Sequence, residues 1–295
     1  MDTWPNFFIA GAPKAGTSSL CAYLQAVPGI YMSKLKEPNY FSRVVVPDDH
    51  PVRPVRDQRQ YLQLFAEAGD ARVVGEASPT YLADPEAPRL IRNAVPQAKV
   101  LVSLRDPVER AYSHYLMMLN NGTAKGSFLD EIKRGLALGG NRSLALLRAD
   151  VGLYFQQVER FGNEFPESQF KVLVFEEFSA DVAGSLRQVL EFLGVQPPSS
   201  EFAAPAYREY SVARGPLVRY LFGNRTIARA SELLISPSVR KAIRDRFLVK
   251  KAGKPPMPQD ARDFLVQYYA DDVQSLSRLL ARHLPWRNFP IAAQR

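Results

Sequence analysis

The chain has 295 residues with 38 Lys+Arg against 30 Asp+Glu, a formal net charge of +8, and its 46% hydrophobic and 23% charged content exclude disorder and fibrous repeats while allowing a sizeable core. One cysteine, Cys21, excludes an internal disulfide and with it a disulfide-stapled secreted scaffold. The first apolar run, Phe7 to Ala12, is too short for a signal sequence, and no stretch approaches the roughly 20 apolar residues of a spanning helix, so the expectation is a cytoplasmic protein.

In chain order, short apolar runs alternate with longer helical patterns. Phe7–Ala10 reads as a buried strand, followed by a helix from Ser18 to Ala26 and another from Asp57 to Ala66. Arg72–Gly75 is the second strand, Pro85 to Val95 a helix, Lys99–Leu104 the third strand, and Val108 to Leu119 a helix. A helix from Gly152 to Phe161 leads to a strand at Phe170–Phe175, and a helix from Ser185 to Leu193 ends at Gly194, a C-cap. Continuous apolar runs, without strict alternation, predict strands buried on both faces. The β–α alternation therefore predicts an α/β fold: an open parallel sheet with helices on both faces.

The pattern changes after Pro197-Pro198. Residues 199–260 are rich in Pro, Arg and Ser, and the stretch 201–254 alone holds 12 Lys/Arg against 4 Asp/Glu, a local charge of +8 that leaves the rest of the chain neutral. We read 199–260 as a basic cap or lid over the sheet edge, within a single domain spanning 1–295. Such a segment suits an anionic ligand, though a solvated basic face would look the same. Helical periodicity returns from Asp260 to Leu284, with Phe264, Leu265, Tyr268, Val273, Leu276, Leu279 and Leu280 spaced for one buried face.

Ligands of open parallel sheets bind at the carboxyl ends of the strands, so the residues after each strand carry the functional information. The first strand runs into Gly11-Ala12-Pro13-Lys14-Ala15-Gly16-Thr17-Ser18-Ser19 and then a helix. Glycines bring backbone N–H groups close to a phosphate, the helix offers its positive end, and Lys14, Thr17, Ser18 and Ser19 add a charge and donors. The glycine spacing matches a Walker A loop, but Thr17 stands where that motif has lysine and Lys14 lies inside the loop. The second anchor follows Lys99–Leu104. There Arg105 sits where a guanidinium can grip a phosphate, Asp106 is placed to cap a helix that begins with Pro107, and Ser113 lies about two turns on.

Together these two segments resemble the 5′-phosphosulfate loop and the 3′-phosphate motif of sulfotransferases that use 3′-phosphoadenosine 5′-phosphosulfate (PAPS). The likeness covers nearly the whole chain and points to the sulfotransferase domain of heparan sulfate N-deacetylase/N-sulfotransferases and their 3-O-sulfotransferase relatives. It implies that Lys14, Ala15, Gly16, Thr17, Ser18 and Ser19 hold the 5′ end of PAPS, that Arg105 and Ser113 hold its 3′-phosphate, and that no metal is needed. Lys250-Lys251-Ala252-Gly253-Lys254 falls where the family closes a lysine–glycine loop over the nucleotide, which implicates Lys250, Lys251 and Gly253, with the register ambiguous by a residue. Lys36-Glu37-Pro38-Asn39-Tyr40-Phe41 is similar to the family segment that carries the general base, which makes Glu37 the base and Lys14 the support for charge on the leaving oxygen. Without the family, Glu37 reads as a surface carboxylate paired with Lys34 or Lys36.

Departures from the pattern bear on the acceptor. The heparan enzymes carry Glu-Lys after their second strand, whereas this chain has Glu76-Ala77, so recognition of a sulfated glycan is not implied. The role of Glu76 is open, and the acceptor is expected to be a hydroxyl or amine on a small molecule, glycan or lipid. His114, the counterpart type of the histidine base in small-molecule sulfotransferases, is expected to pack on its helix far from the sulfuryl group. Two other readings compete: a P-loop kinase or nucleotidase, which shares the glycine spacing, and a nucleic-acid binder using Tyr207, Tyr210, Tyr220 and Phe222 among the arginines. Neither accounts for Lys14 together with Arg105 and Ser113, so no nucleic-acid partner is expected.

Overall fold

The four apolar runs and a short edge segment form five parallel strands: β1 (Phe7–Gly11), β2 (Ile30–Met32), β3 (Val73–Ala77), β4 (Lys99–Leu104) and β5 (Phe170–Val174), hydrogen-bonded in the order β2-β3-β1-β4-β5. The computed structural model describes residues 3–43, 53–138, 147–197, 211–213, 249–251 and 253–290. All five residues of β1 are buried, as a central strand covered on both sides requires. Its side chains alternate between two cores: Phe8 and Ala10 enter one, Phe7 and Ile9 the other.

Helices fill both layers. On one face lie α1 (Thr17–Gln25), α7 (Phe175–Ala180) and α8 (Val182–Leu193), through Leu20, Leu24, Phe178, Leu186 and Leu190. On the other lie α2 (Gln58–Gln63), α3 (Ala87–Ala94), α4 (Pro107–Asn120), α5 (Phe128–Ala137), α6 (Phe155–Glu164) and the long α9 (Gln259–Leu279). A short antiparallel ribbon pairs β6 (Ser211–Ala213) with β7 (Val249–Lys251). Among the described residues no helix is long and apolar enough to cross a membrane.

The parallel sheet with helices on both faces is the architecture that the β–α alternation predicts. Three elements escape the pattern. β2 has only three residues at the sheet edge, too few to register as an apolar run. α7 begins at the residue directly after β5, so Phe175 reads as the last strand residue although it is the first of a helix. α5 opens with a capping box between Ser127 and Asp130, and its apolar residues Phe128, Leu129, Ile132 and Leu136 are helix-spaced, signals present in the sequence although the expected helices do not include it. α6 starts at Phe155, after a tight 3-10 turn at Asp150–Gly152, and α9 stops at Leu279 before a left-handed Ala281. Gly194 terminates α8 in the left-handed conformation, as expected of a C-cap.

Strand order positions the site. From β1 the chain moves outward to β2 and back to β3, then crosses β1 to place β4 on its other side. The helices that follow β1 and β4 pack on opposite faces of the sheet, which makes this a switch point, the place where open parallel sheets have their ligand crevice. Because all five strands are parallel, the segments after β2 and β3 emerge at the same edge. Most of the expected cap, 199–260, lies outside the described residues, as do Tyr207, Tyr210, Tyr220 and Phe222.

Candidate active site

The loop after β1 is folded against β4. Ala12 N donates to Ser103 O at 2.6 Å, and the Ser103 hydroxyl donates to Ala15 O at 2.6 Å. Gly11 is dictated by crowding, since a Cβ there would lie 2.4 Å from Leu82 Cβ. Gly16 is dictated twice: its φ is 79°, and a Cβ would lie 2.8 Å from the Phe175 ring. Lys14 is also left-handed, with φ 69°. Gly16 stands at the N-cap of α1 and no side chain caps that helix; Ala15 N and Ser19 N donate to Ala12 O and Gly16 O, so the backbone donors left to the turn are those of Gly16, Thr17 and Ser18, beside Lys14 and the half-buried Ser18 and Ser19 side chains. Thr17 is buried at 6% exposure, so its side chain serves the loop more than the crevice.

Arg105 joins the two motifs. Its Nη1 donates to Lys14 O at 3.1 Å, and its guanidinium carbon stands 4.6 Å from the centre of the Phe175 ring. Phe175 therefore touches both the Gly16 turn and Arg105. Arg105 Nε is enclosed with no hydrogen-bond partner among the described residues, an unsatisfied donor. Asp106 caps α4 as expected, accepting from Val108 N at 3.0 Å and Glu109 N at 3.3 Å. Burial pushes its carboxyl up, and Asn288 Nδ2, 2.7 Å away, counters this. Ser113 sits half-buried on α4, six residues past Pro107.

The end of the basic segment is strapped to α4. Lys254 Nζ pairs with the buried Glu109, which also takes Arg287, and stands 4.8 Å from the Tyr112 ring centre. Tyr112 OH lies 3.1 Å from Pro255 O and 2.9 Å from Pro256 O. Burial works against the Glu109 carboxylate, yet Lys254 and Arg287 hold it down at about 2. Lys254 itself is pulled below the usual ammonium range by burial, and Arg105 is among the charges that lower it further. Lys254 is thus fixed to α4, the helix that starts two residues after Arg105, a contact the sequence motifs do not single out. Lys250 and Lys251 belong to β7, with side chains outside the described residues, and Gly253 is exposed with open space around it.

Lys14 extends along α4, its Nζ 3.6 Å from Met117 Sδ. His114, one turn earlier, is half-buried, and its Nδ1 is enclosed without a partner among the described residues. Burial first, then Arg110 and Lys14, push its imidazole down to about 3, so it is neutral at physiological pH. The expectation that His114 packs on its helix agrees with this enclosure. Lys14 is among the charges that act on it.

Glu37 lies on the segment that follows β2, its side chain 24% exposed, and Lys36 Nζ is 3.3 Å from its carboxylate. Lys34 pairs elsewhere, with Glu67. Glu37 and Asn39 are both left-handed, with φ 56° and 51°. Asn39 Nδ2 donates to Glu37 O at 2.7 Å, Asn39 N to Ser78 Oγ at 3.0 Å, and Phe41 N to Tyr81 OH at 3.3 Å. The crevice thus gathers Lys14–Ser19, Ser103 and Arg105, with Lys254 bound to Glu109 on α4, while Glu37 occupies a separate loop on the same carboxyl edge of the sheet. Among the described residues no three His, Cys, Asp or Glu side chains converge as metal ligands.

The model of the sulfotransferase family matches residues 55–199. The crystal structure of a sulfotransferase from Alicyclobacillus acidocaldarius is 31% identical, superposes with a TM-score of 0.72, and covers 97% of this chain and 99% of its own. Heparan sulfate glucosamine 3-O-sulfotransferase 6 of Homo sapiens is 30% identical over 194 residues, 65% of this chain and 53% of its own. Carbohydrate sulfotransferase 15 of Rattus norvegicus is 29% identical over 67% of this chain and 45% of its own. The chain therefore spans about half the length of these curated relatives. The fold alone is shared with retinol dehydratase, solved with androsterone and inactive cofactor PAP, at 12% identity and a TM-score of 0.53. On its sequence and its fold, the chain belongs to the sulfotransferase family.

Proposed function

We propose that this chain transfers a sulfuryl group from PAPS to a hydroxyl or amine of an acceptor, releasing 3′-phosphoadenosine 5′-phosphate (PAP). The observation that carries this reading is the joint between the two anion motifs: Arg105 donates to Lys14 O and stacks on Phe175, which also walls Gly16. One crevice thereby holds a loop lysine and a strand-end arginine on a shared scaffold, as a nucleotide with anionic groups at both its 5′ and 3′ positions requires. The unsatisfied Arg105 Nε and the α1 start without a side-chain cap fit such a ligand.

PAPS supplies an activated sulfuryl group whose S–O bond to phosphate breaks as the acceptor oxygen or nitrogen bonds to sulfur. The turn of Ala15, Gly16, Thr17, Ser18 and Ser19 holds the 5′ end, and Lys14 neutralises the charge gathering on the departing phosphate oxygen. Arg105 and Ser113 hold the 3′-phosphate. Glu37 takes the acceptor proton. Lys250, Lys251 and Gly253 close over the nucleotide, with Lys254 anchoring that segment to α4. With Ala77 in place of the lysine of the heparan enzymes, the acceptor need not be an acidic polysaccharide. The single thiol suits a cytoplasmic setting, which cell fractionation tests.

The test is calorimetric titration with PAP beside ATP and 5′-AMP, without metal. The expected result is tight binding of PAP that weakens sharply in 5′-AMP, which lacks the 3′-phosphate. Equal weak binding of all three, or a magnesium-dependent preference for ATP, overturns the reading in favour of a kinase or nucleotidase.

A further inference from the structure

Glu76 is a buried carboxylate, 1% exposed, that none of the proposed steps uses. No cation pairs with it among the described residues; three hydroxyls meet its charge instead. Tyr61 OH lies 2.8 Å and Tyr81 OH 2.6 Å from its Oε1, and Ser78 Oγ 2.6 Å from its Oε2. An ionised carboxylate only accepts, so each hydroxyl must point its single proton at Glu76 and offer only lone pairs elsewhere. Two of these hydroxyls then accept backbone N–H groups of the loop that carries Glu37: Ser78 Oγ from Asn39, and Tyr81 OH from Phe41. The Asn39 side chain passes the restraint on, donating to Glu37 O while accepting from Thr80 Oγ1.

We infer that Glu76 is a positioning residue: its carboxylate sets the direction of the hydroxyl hydrogen bonds that hold Asn39 and Phe41, and through them the backbone bearing Glu37. The inference rests on reading Glu37 as the base. Non-glycine residues such as Glu37 and Asn39 stay left-handed only where their surroundings over-determine the backbone, and this network supplies that determination. Were Glu76 replaced by an amide, its NH2 would donate, so at least one hydroxyl would lose the acceptor that fixes its proton and would be free to rotate it, loosening the contact it makes with the loop.

Tyr61 provides an internal control. Its hydroxyl donates to the same carboxylate but receives no loop N–H; it meets the loop through its ring, stacked on Tyr40 with centroids 4.1 Å apart. Tyr61→Phe keeps that stacking and removes one bond to Glu76, as Tyr81→Phe and Ser78→Ala do. The experiment measures amide hydrogen exchange at Asn39 and Phe41 in these three variants and in Glu76→Gln at pH 8, where the Glu76 carboxylate is ionised, with thermal midpoints recorded alongside.

Tenfold or faster exchange is expected at Asn39 in Ser78→Ala, at Phe41 in Tyr81→Phe, and at one or both in Glu76→Gln. In Tyr61→Phe the change should stay under twofold. Equal acceleration in Tyr61→Phe and Tyr81→Phe at matched stability, or none in Glu76→Gln, overturns the inference. Calorimetry with PAP on the same proteins separates the two readings. If the exchange pattern holds and the wild-type chain fails to bind PAP, the loop-holding role of Glu76 stands and the sulfuryl-transfer reading falls.

Discussion

Burial pushes the Glu76 carboxyl up to about 7 from the usual 4.5, although its three hydroxyl partners oppose the shift. The native state therefore holds this proton more tightly than the unfolded chain does. Stability from this source is complete below the unfolded value and is lost as pH rises through the folded one. At about 1.4 kcal/mol per pKa unit, the loss between pH 5 and pH 8 comes to roughly 2 to 3 kcal/mol. Glutamine at position 76 cannot titrate, so Glu76→Gln should flatten the pH dependence by that amount. Asp272, pushed up to about 6 by burial, titrates with the same sign in both proteins and cancels from the difference. Cys21, whose thiol burial pushes up to about 11 with Glu76 adding to the rise, stays neutral across the range. The assay is urea unfolding of both proteins at pH 5, 6, 7 and 8. Parallel curves for wild type and variant would refute the argument. The consequence for function is an opposition: the ionised form that orients the loop is the form that destabilises the fold, so the variant can gain stability at pH 8 while its loop loosens.

Three other outcomes are expected. Arg105→Ala removes charge-assisted hydrogen bonds worth roughly 1.5 to 3 kcal/mol, so PAP affinity should fall about 10- to 100-fold while 5′-AMP affinity changes little, as read by calorimetry. Glu37→Gln should abolish turnover and leave PAP affinity within about twofold; equal loss of both would rule out the base assignment. Glu109, held at about 2, contributes stability that is present above the unfolded carboxylate value and lost as pH falls through the folded one. Glu109→Gln should therefore cost roughly 2 kcal/mol at pH 7 in urea unfolding, with the gap closing toward pH 2.

Local sequence was enough wherever one physical requirement acts on neighbouring residues. Continuous apolar runs marked β1, β3, β4 and β5, because a strand covered on both faces has no polar side to show. Asp106-Pro107 and Gly194 marked helix ends through capping and left-handed geometry. The two anion segments were legible because a turn that brings backbone to a phosphate needs its glycines and cation within a few residues. Tertiary structure decided what no window contains. Phe175 walls Gly16 and stacks on Arg105, Lys254 reaches Glu109 across 145 positions, and Tyr61, Ser78 and Tyr81 converge on Glu76. Each of these joins elements that meet only because the chain crosses over β1 and every parallel strand ends at the same edge. The sequence says which residues can carry charge and protons; strand order decides which of them stand together.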